Sequence, residues 1–440
     1  MMKKKTIAIL GAGITGLATA YYLSKNYKVI VLEKSNDIGG MSYSFEHKGF
    51  TLDYGPHKIY TQLPGILDEI KKVIPLRRIK KKNKIYLKGN YFNFPLSIKE
   101  IALKMPFTAF SGVMDIIKNK LGKKSGSYLE NRFGSTLYNL VFKNYAEKIW
   151  DAPEKLDVEL AKRRVSMSSF FDLVKSILFK DSKKISADYF YYPNNGMKQL
   201  IDALREKIEK DDGKILTNAD IKEMLSDEHG IKEIRIKNET IKPDFVISTI
   251  PLSDLACLLN QENDSVKSLC YRDVNMIYFL INKKKILKDN WIFFPEKEFL
   301  FHRISEQKSF SPDTAPESKS VLIAETTKQA SKENLDKIKR QLIKLGIFRE
   351  SEIEEIFVKT LIKAYPLYYK GFKEELNKTI SGLEKFDNLL TIGRHGLFNY
   401  NNMDHCWDMA KKTAEYIEKG SDKKEWKNIM KVFDNYKIVD

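Results

Sequence analysis

The spacing of apolar and polar residues near the amino terminus predicts a strand, a helix and a second strand, in that order. Residues 6–10 form a short apolar run, residues 17–25 have helical spacing, and residues 28–34 form a second apolar run. A strand that ends in a glycine turn recurs at residues 391–396, and another helical pattern follows it. We therefore expect an α/β domain that the chain visits more than once.

The intervening chain predicts two further kinds of structure. Helical spacing prevails from about residue 97 to residue 180, and residues 197–210 form a strongly amphipathic helix. Residues 274–285 are predicted to be a buried strand, whereas residues 331–345 and 351–363 are predicted to be helices. A helical segment and a sheet are therefore expected as insertions into the α/β domain.

The chain of 440 residues carries 76 Lys and Arg against 58 Asp and Glu, a formal net charge of +18. This balance favours an anionic partner: nucleic acid, a membrane surface or a phosphorylated small molecule. The densest basic run, residues 71–90, has no zinc-finger, RNA-recognition or basic-zipper pattern, so we interpret it as a solvated surface and expect no nucleic acid. No segment approaches the ~20 uninterrupted apolar residues of a membrane span.

The three cysteines, Cys257, Cys270 and Cys406, form no CxxC pair. This sparse, odd-numbered set suits a reducing cytoplasm and argues against a disulfide framework, so we expect a cytoplasmic protein. His405 and Cys406 are adjacent, but two ligand types without further partners make a poor metal site. We therefore predict no metal.

The sequence GAGITG at residues 11–16 lies between the first predicted strand and helix, where a dinucleotide-binding turn needs its glycines. Gly11 permits the tight turn, Gly13 lets the backbone approach a pyrophosphate, and Gly16 allows the helix to pack closely on the strand. Glu33 follows Gly16 by 17 residues, at the end of the second strand, where a carboxylate can accept both hydroxyls of a ribose. This combination predicts a bound dinucleotide.

A second glycine pair, Gly39 and Gly40, lets another backbone segment lie against the same cofactor. The pairing resembles the FAD-binding flavoproteins of the glutathione-reductase type rather than NAD dehydrogenases. Many amine and porphyrinogen oxidases of that group carry an arginine after the pair, where Met41 stands here. The residues predicted to contact FAD in this region are Gly11, Gly13, Ile14, Thr15, Gly16, Glu33, Lys34, Gly39, Gly40, Met41 and Ser42.

Five motifs follow one another along the remaining chain. They are YGPHKIYT, NYAEKIW, FHRISEQKSF, KAYPLYY and GRHGLFNYNNMDH. In this order they resemble the UDP-galactopyranose mutase family of flavoenzymes, and the resemblance extends from about residue 5 to residue 418. Each motif alone is only moderately specific, whereas their shared order over that length is highly specific.

The resemblance implies roles for individual residues. His57 occupies the family's Gly-Pro-His turn beside the flavin, and Arg303 belongs to a clamp for the substrate diphosphate. Either Arg163 or Arg164 matches an arginine on a mobile loop that closes on the substrate phosphates. The implied substrate-binding residues are Phe142, Tyr145, Trp150, Tyr189, Tyr365 and Tyr400, and the further implied FAD contacts are Gly393, Arg394, Asn402 and Met403.

Two positions depart from the family pattern. Tyr60 stands where bacterial members often have a second histidine, and Val141 precedes Phe142 where they often have two phenylalanines. Both positions touch substrate recognition, so the identity of the sugar stays open.

The resemblance implies a UDP-sugar mutase that interconverts pyranose and furanose forms, most often of UDP-galactose, through a covalent flavin–sugar adduct on reduced FAD. A reductant such as NAD(P)H or a flavin reductase would keep the flavin active, and the choice between monomer and homodimer stays open. Arginine forks and tyrosine hydroxyls suit a substrate diphosphate. The alternative is an FAD-dependent oxidoreductase of the amine oxidase or protoporphyrinogen oxidase type, because one cofactor domain serves both chemistries. A diverged FAD-binding protein without turnover is a third hypothesis.

The predicted fold class is α/β with α+β insertions: a Rossmann-like FAD-binding domain, an inserted helical domain and an antiparallel-sheet substrate domain. We assign residues 1–60, 190–255 and 385–420 to the FAD-binding domain, residues 97–185 to the helical domain with its mobile loop, residues 61–96 and 256–384 to the substrate domain, and residues 421–440 to a C-terminal tail.

Overall fold

The computed structural model describes residues 4–120, 127–164 and 188–438. The strands are β1 (Thr6–Leu10), β2 (Lys28–Leu32), β3 (Ser44–His47), β4 (Phe50–Asp53), β5 (Arg77–Lys80), β6 (Asn83–Leu87), β7 (Asn90–Asn93), β8 (Tyr189–Tyr192), β9 (Lys214–Leu216), β10 (Ile221–Asp227), β11 (Gly230–Ile236), β12 (Thr240–Ile241), β13 (Phe245–Ser248), β14 (Tyr271–Ile281), β15 (Trp291–Phe293), β16 (Arg303–Glu306), β17 (Ser320–Thr326), β18 (Ile353–Pro366) and β19 (Leu389–Thr391). The helices are α1 (Ile14–Leu23), α2 (Ile66–Val73), α3 (Ile98–Lys104), α4 (Pro106–Lys120), α5 (Tyr128–Phe133), α6 (Ser135–Leu137), α7 (Asn144–Ile149), α8 (Val158–Arg164), α9 (Lys198–Lys210), α10 (Leu252–Leu258), α11 (Asp264–Ser268), α12 (Lys332–Lys344), α13 (Phe372–Leu383), α14 (Gly393–Gly396), α15 (Met403–Lys419) and α16 (Lys423–Asp434).

A parallel sheet of five strands carries the nucleotide-binding turn. Its order is β19-β13-β1-β2-β9, so β1 lies at the centre and the carboxyl ends of all five strands share one edge. Residues 7–10 of β1 are fully buried, which explains why this strand is continuously apolar rather than alternating. α1 packs against α15, which joins the first and last parts of this domain. The predicted α/β fold is confirmed.

A second sheet of seven strands, in the order β18-β14-β17-β16-β15-β6-β7, stands beside the first. All its neighbouring strands are antiparallel except β15 and β6, which are parallel. The prediction of a helix over residues 351–363 is wrong, because these residues form β18 and pair with β14. Their glutamates and lysines favour a helix locally, but pairing with a long buried neighbour outweighs that preference.

The helical region contains α3 to α8, with a π-helical segment over Tyr138–Lys143. The predicted mobile loop after Arg164 falls on residues 165–187, outside the described residues.

Residues 421–440, assigned to a tail by the sequence analysis, contain the helix α16. Phe433 on this helix is fully buried, and its carbonyl oxygen accepts a hydrogen bond from Asn399 Nδ2 at 3.1 Å. The Tyr436 hydroxyl donates to Asp408 on α15. The described part of this segment, up to residue 438, therefore packs against α15 and Asn399.

A buried residue at the end of β4, Asp53, links nearby short strands to α9 and to β14 of the seven-stranded sheet. Asp53 has no exposed surface; its Oδ1 accepts from the Ser44 hydroxyl at 2.5 Å and the Met197 N–H at 3.2 Å. Its Oδ2 accepts from the Tyr192 hydroxyl at 2.5 Å, and its backbone carbonyl accepts from the Tyr278 hydroxyl at 2.8 Å. Burial raises the pKa of Asp53 to about 6 even though these donors oppose the shift. The Asp53 knot thus links β3, β4, β8, the start of α9 and β14.

We expect Asp53→Ala to destabilise the folded protein, because three buried donors lose their acceptor and each unsatisfied group costs about 1–3 kcal/mol. The free energy of unfolding, measured by denaturant titration of the cofactor-loaded protein, should fall by about 3 kcal/mol or more. Asp68→Ala, on an exposed position of α2, is the matched control and should change it by no more than about 0.5 kcal/mol. Equal stability of the two variants would contradict the role given to the knot.

Candidate active site

The turn between β1 and α1 forms one wall of an open cleft. Gly11 has a φ of +95°, and a Cβ on Gly16 would lie 2.0 Å from the Gly11 carbonyl oxygen, so α1 packs directly on the turn. Gly13 is the N-cap of α1; among the described residues no side chain caps this end, and a Cβ on Gly13 would have no neighbour within 4 Å. The first-turn N–H groups and the helix dipole therefore face open space suited to a pyrophosphate.

The second glycine pair closes the other side of this turn. Gly39 and Gly40 have φ values of +112° and +55°, and a Cβ on Gly40 would lie 3.1 Å from the Gly13 Cα. Glu33 accepts hydrogen bonds from the Ala12 N–H at 2.9 Å and from the Ser35 N–H at 2.9 Å. These bonds hold the carboxylate at the edge of the cleft, where its remaining lone pairs can meet a ribose.

A third segment reaches the same place from the far end of the sequence. Gly393 has a φ of +85°, and a Cβ there would lie 2.8 Å from the Thr15 hydroxyl oxygen. Arg394, Asn402 and Met403 line the cleft. The predicted FAD contacts thus come together from three separate parts of the chain. The further ones that line the cleft are Ile14, Thr15, Lys34, Met41 and Ser42.

The cleft, with a volume of about 760 Å³, continues from this cradle to a cluster of charged side chains. Arg303 on β16 and Glu325 on β17 form a pair with two hydrogen bonds, Nε to Oε1 at 2.5 Å and Nη2 to Oε2 at 2.7 Å. Burial alone would raise the pKa of Glu325, but the charge and hydrogen bonds of Arg303, aided by His302, lower it to about 2. Glu325 is therefore an ionised carboxylate that holds the Arg303 guanidinium in place. Both hydrogen bonds use Nε and Nη2 of Arg303, so Nη1 of Arg303 points away from Glu325.

His57 follows the Gly55-Pro56 turn and faces this cluster. In the described part of the chain, its buried Nδ1 has no hydrogen-bond partner. Burial, followed by the nearby Arg303 and Arg394 charges, lowers the pKa of His57 to about 4. The imidazole is therefore neutral near pH 7 and suits positioning rather than delivery of a proton.

Two tyrosines form the opposite wall. The rings of Tyr365 and Tyr400 stack with centroids 5.4 Å apart at an angle of 8°, and the Arg394 guanidinium lies within 5.2 Å of both ring centroids. Burial and the neighbouring Tyr400 raise the pKa of Tyr365 to about 12, so it stays a neutral hydroxyl. The buried Tyr400 hydroxyl has no partner among the described residues. It is thus a donor available to a ligand.

The structure separates the two adjacent arginines that the sequence analysis left open. Arg163 is only 8% exposed, and it pairs with Glu159 at 2.9 Å and donates to Asn399. Arg164 lines the cleft, with its guanidinium 5.0 Å from the Tyr400 ring centroid. Arg164 is the one of the two that a ligand can reach.

An apolar cavity of about 710 Å³ adjoins the cleft, and Arg164 lines both. Tyr145, Trp150 and Phe142 form part of its wall, as does Val141. The Tyr145 ring meets the ring of Phe293 edge-on at 5.9 Å. The predicted substrate-binding residues Phe142, Tyr145 and Trp150 therefore lie together, next to the cationic cluster but outside it.

Tyr189 lies apart from the other predicted substrate-binding residues. It lies away from both cavities on the outer face of β8, 37% exposed, with the Arg78 guanidinium 3.9 Å from its ring centroid. Alternation along the strand turns Phe190 and Tyr192 into the core and Tyr189 outward. The structure therefore does not bring Tyr189 together with Tyr365 and Tyr400 in the cleft.

Glu325 is the main residue that sequence reasoning missed. All seven residues of β17 are buried, and Glu325 is the single acid among them. A lone carboxylate inside an otherwise apolar strand requires a cationic partner, and this was the available signal.

His405, for which the sequence analysis predicts no metal, stacks on the Tyr436 ring with centroids 4.7 Å apart.

We expect Gly13→Ala to weaken FAD binding without unfolding the protein, because the new methyl group enters the space assigned to the pyrophosphate. FAD affinity, measured by flavin fluorescence titration of the cofactor-free protein, should fall at least about tenfold, or about 1.4 kcal/mol. The free energy of unfolding of the cofactor-free protein should change by less than about 1 kcal/mol.

Gly382→Ala is the matched control, since Gly382 lies exposed in α13 with no neighbour within 4 Å of a new Cβ among the described residues. It should leave FAD affinity unchanged and raise stability by up to about 1 kcal/mol. Unaltered FAD affinity in Gly13→Ala would show that the dinucleotide does not cross this turn.

Solved structures with a similar fold include enzymes of different chemistry. The crystal structure of a reduced UDP-galactopyranose mutase matches with a TM-score of 0.81 and 18% identity, covering 96% of this chain and 95% of that chain. A putative protoporphyrinogen oxidase from Exiguobacterium sp. 255-15 matches with a TM-score of 0.72 and 17% identity, covering 96% and 100%. At these identities the likeness shows the fold alone.

Sequence comparison gives a broader assignment. The coproporphyrinogen III oxidase of Staphylococcus aureus is 22% identical over 468 aligned positions, which cover 94% of this chain and 99% of that protein. The family model for flavin-containing amine oxidoreductases matches residues 14–377, most of the chain. The cradle described above fits the flavin dinucleotide of that family. The chain therefore belongs to the flavin-containing amine oxidoreductase family, and its cofactor is FAD.

Proposed function

We propose that this protein is a flavin-dependent UDP-sugar mutase that interconverts pyranose and furanose forms, with UDP-galactose as the first substrate to test. One observation carries the proposal: a cluster of cations and tyrosine hydroxyls lies in the same cleft as the FAD cradle. The cluster consists of Arg164, Arg303, Arg394, Tyr365 and Tyr400.

A substrate diphosphate needs fixed cations and hydroxyl donors, and this cluster offers both. Arg303 is held by Glu325 through one edge of its guanidinium, so its orientation is set before a ligand arrives. The Tyr400 hydroxyl adds a neutral donor at low entropic cost. A cluster of this kind selects a phosphorylated substrate over a protonated amine, because a further positive charge would be repelled.

The apolar cavity gives the nucleoside part of such a substrate a place to bind. With the phosphates at Arg164, the base would extend towards Tyr145 and Trp150, since Arg164 lines both cavities. Stacking of a base on an aromatic ring is worth about 1–3 kcal/mol.

Reduced FAD supplies the nucleophile for a reaction of this kind. The chain's own residues bind the diphosphate, orient the sugar against the flavin and limit access of water. His57 would act as a neutral hydrogen-bonding group at the flavin edge. Pyranose and furanose forms are isomers, so the reaction needs no net transfer of electrons.

A second candidate function is oxidation of an apolar or porphyrinogen-like substrate. The size and apolar lining of the second cavity favour it, as does the similarity to a coproporphyrinogen III oxidase. Arginines beside such a cavity could also meet substrate carboxylates.

Measuring which substrates the purified protein converts distinguishes the mutase from the oxidase. Purified protein would be incubated with UDP-galactopyranose, with and without dithionite, and the nucleotide-sugars separated by chromatography. The mutase proposal expects a furanose product under reduction only. Absence of product from UDP-galactose and a panel of other UDP-sugars, with rapid oxygen use on porphyrinogen or amine substrates, would reject it for the oxidase.

We expect replacement of Arg164 to lower activity and replacement of Arg163 to lower stability. Arg164→Met should lower kcat/KM by about tenfold to a hundredfold, the effect of losing a charge-assisted hydrogen bond to the substrate worth about 1.5–3 kcal/mol. Arg163→Met, the matched control, should lower the free energy of unfolding by about 1–3 kcal/mol because it removes buried bonds to Glu159 and Asn399. Steady-state kinetics and denaturant titration of both variants check this, and the reverse pattern would contradict the placement of Arg164.

A further inference from the structure

A surface outside both cavities exposes an unusual amount of apolar side chain. The α3–α4 face, as we call it, consists of Leu103, Phe107, Phe110, Val113, Met114 and Ile117. Phe107 is 87% exposed, Leu103 75% and Phe110 69%, although such residues are normally covered. A contiguous apolar patch of this kind marks an interaction site more often than a random surface.

The exposed residues of α4 share one side of the helix. Phe107, Phe110, Met114 and Ile117 recur at intervals of three and four. The opposite side already faces the protein, since Gly112 is buried and a Cβ there would lie 3.7 Å from Leu137. One side of α4 therefore packs against the protein. A second, apolar side of α4 is not covered by any of the described residues.

Most of the chain's excess positive charge lies in the sequence segment that includes this face. Residues 71–120 contain 13 Lys and Arg against 2 Asp and Glu, a net +11 within a chain of +18. Lys99 on α3 and Lys118 on α4 are exposed. Lys104 Nζ donates to the Tyr91 carbonyl at 2.5 Å, which joins α3 to the basic β6–β7 hairpin. The end of the basic run, at the β6–β7 hairpin, is thus joined to α3.

We propose that the α3–α4 face seats this protein on the surface of an anionic lipid bilayer. Large apolar side chains beside a dense set of lysines are the two features that hold a protein at the headgroup level. Attachment would be interfacial, because no helix of the described residues has the length and apolar character needed to cross a bilayer. A second copy of the chain is a poorer occupant, since it would bring two strongly basic surfaces together.

The test is sedimentation of the full-length, FAD-loaded protein with vesicles. One vesicle set contains phosphatidylglycerol mixed with phosphatidylcholine, and the other contains phosphatidylcholine alone. The proposal expects partitioning onto the anionic vesicles that weakens with added salt, and at least about tenfold weaker partitioning by the double variant Phe107→Ser/Phe110→Ser. Lys99→Gln and Lys118→Gln should each weaken it by about fivefold.

Val432→Ser is the matched control, because Val432 is also exposed but lies on α16, outside this face. It should partition like the unaltered protein. FAD content and thermal stability of the double variant should match those of the unaltered protein, because both phenylalanines are exposed. No partitioning onto anionic vesicles, or equal partitioning by the double variant, would overturn the proposal. So would a dimer in sedimentation equilibrium that the double variant dissociates without any vesicle binding.

Discussion

One buried carboxylate, Asp53, holds together by hydrogen bonds several of the elements that lead into the cleft. It is the point at which the nucleotide-binding domain, through the start of α9, meets the seven-stranded sheet, through β14. The Gly-Pro turn that carries His57 begins at Gly55, two residues after Asp53. The hydrogen bonds of Asp53 therefore also fix where the His57 imidazole lies. A carboxylate without exposed surface can be kept only where several donors converge, and that requirement fixes how β3, β8 and the start of α9 meet around β4.

Arg303 and Glu325, which line the cleft, form a second group whose burial depends on hydrogen bonds between partners. A buried cation would be costly by itself, and the carboxylate on the adjacent strand offsets that cost while holding the guanidinium still. Arg303 and Glu325 face each other directly in the ladder between β16 and β17, so strand register alone brings them together. A cation held in this way suits an anionic ligand without reorganising when it binds.

Features set by local sequence were predictable, and features set by long-range packing were not. The glycines of the first turn and Glu33 lie within one strand–helix–strand unit, so spacing was enough to predict their arrangement. Residues 351–363 have the composition of a helix, yet a distant strand, β14, makes them a strand. The exposure of Tyr189 depends on which face of β8 meets the core, and Arg164 is distinguished from Arg163 only by packing against Asn399 and Tyr400. No local pattern contains that information.

The closing of Gly393 onto Thr15 has a consequence for how the protein is made. The cofactor cradle joins residues from the first and the last parts of the described chain, and β19 completes the sheet only after β13 is in place. A ribosome-bound chain that has not yet released this segment has only part of the cradle. The complete flavin site can therefore form only after this late segment of the chain has been made.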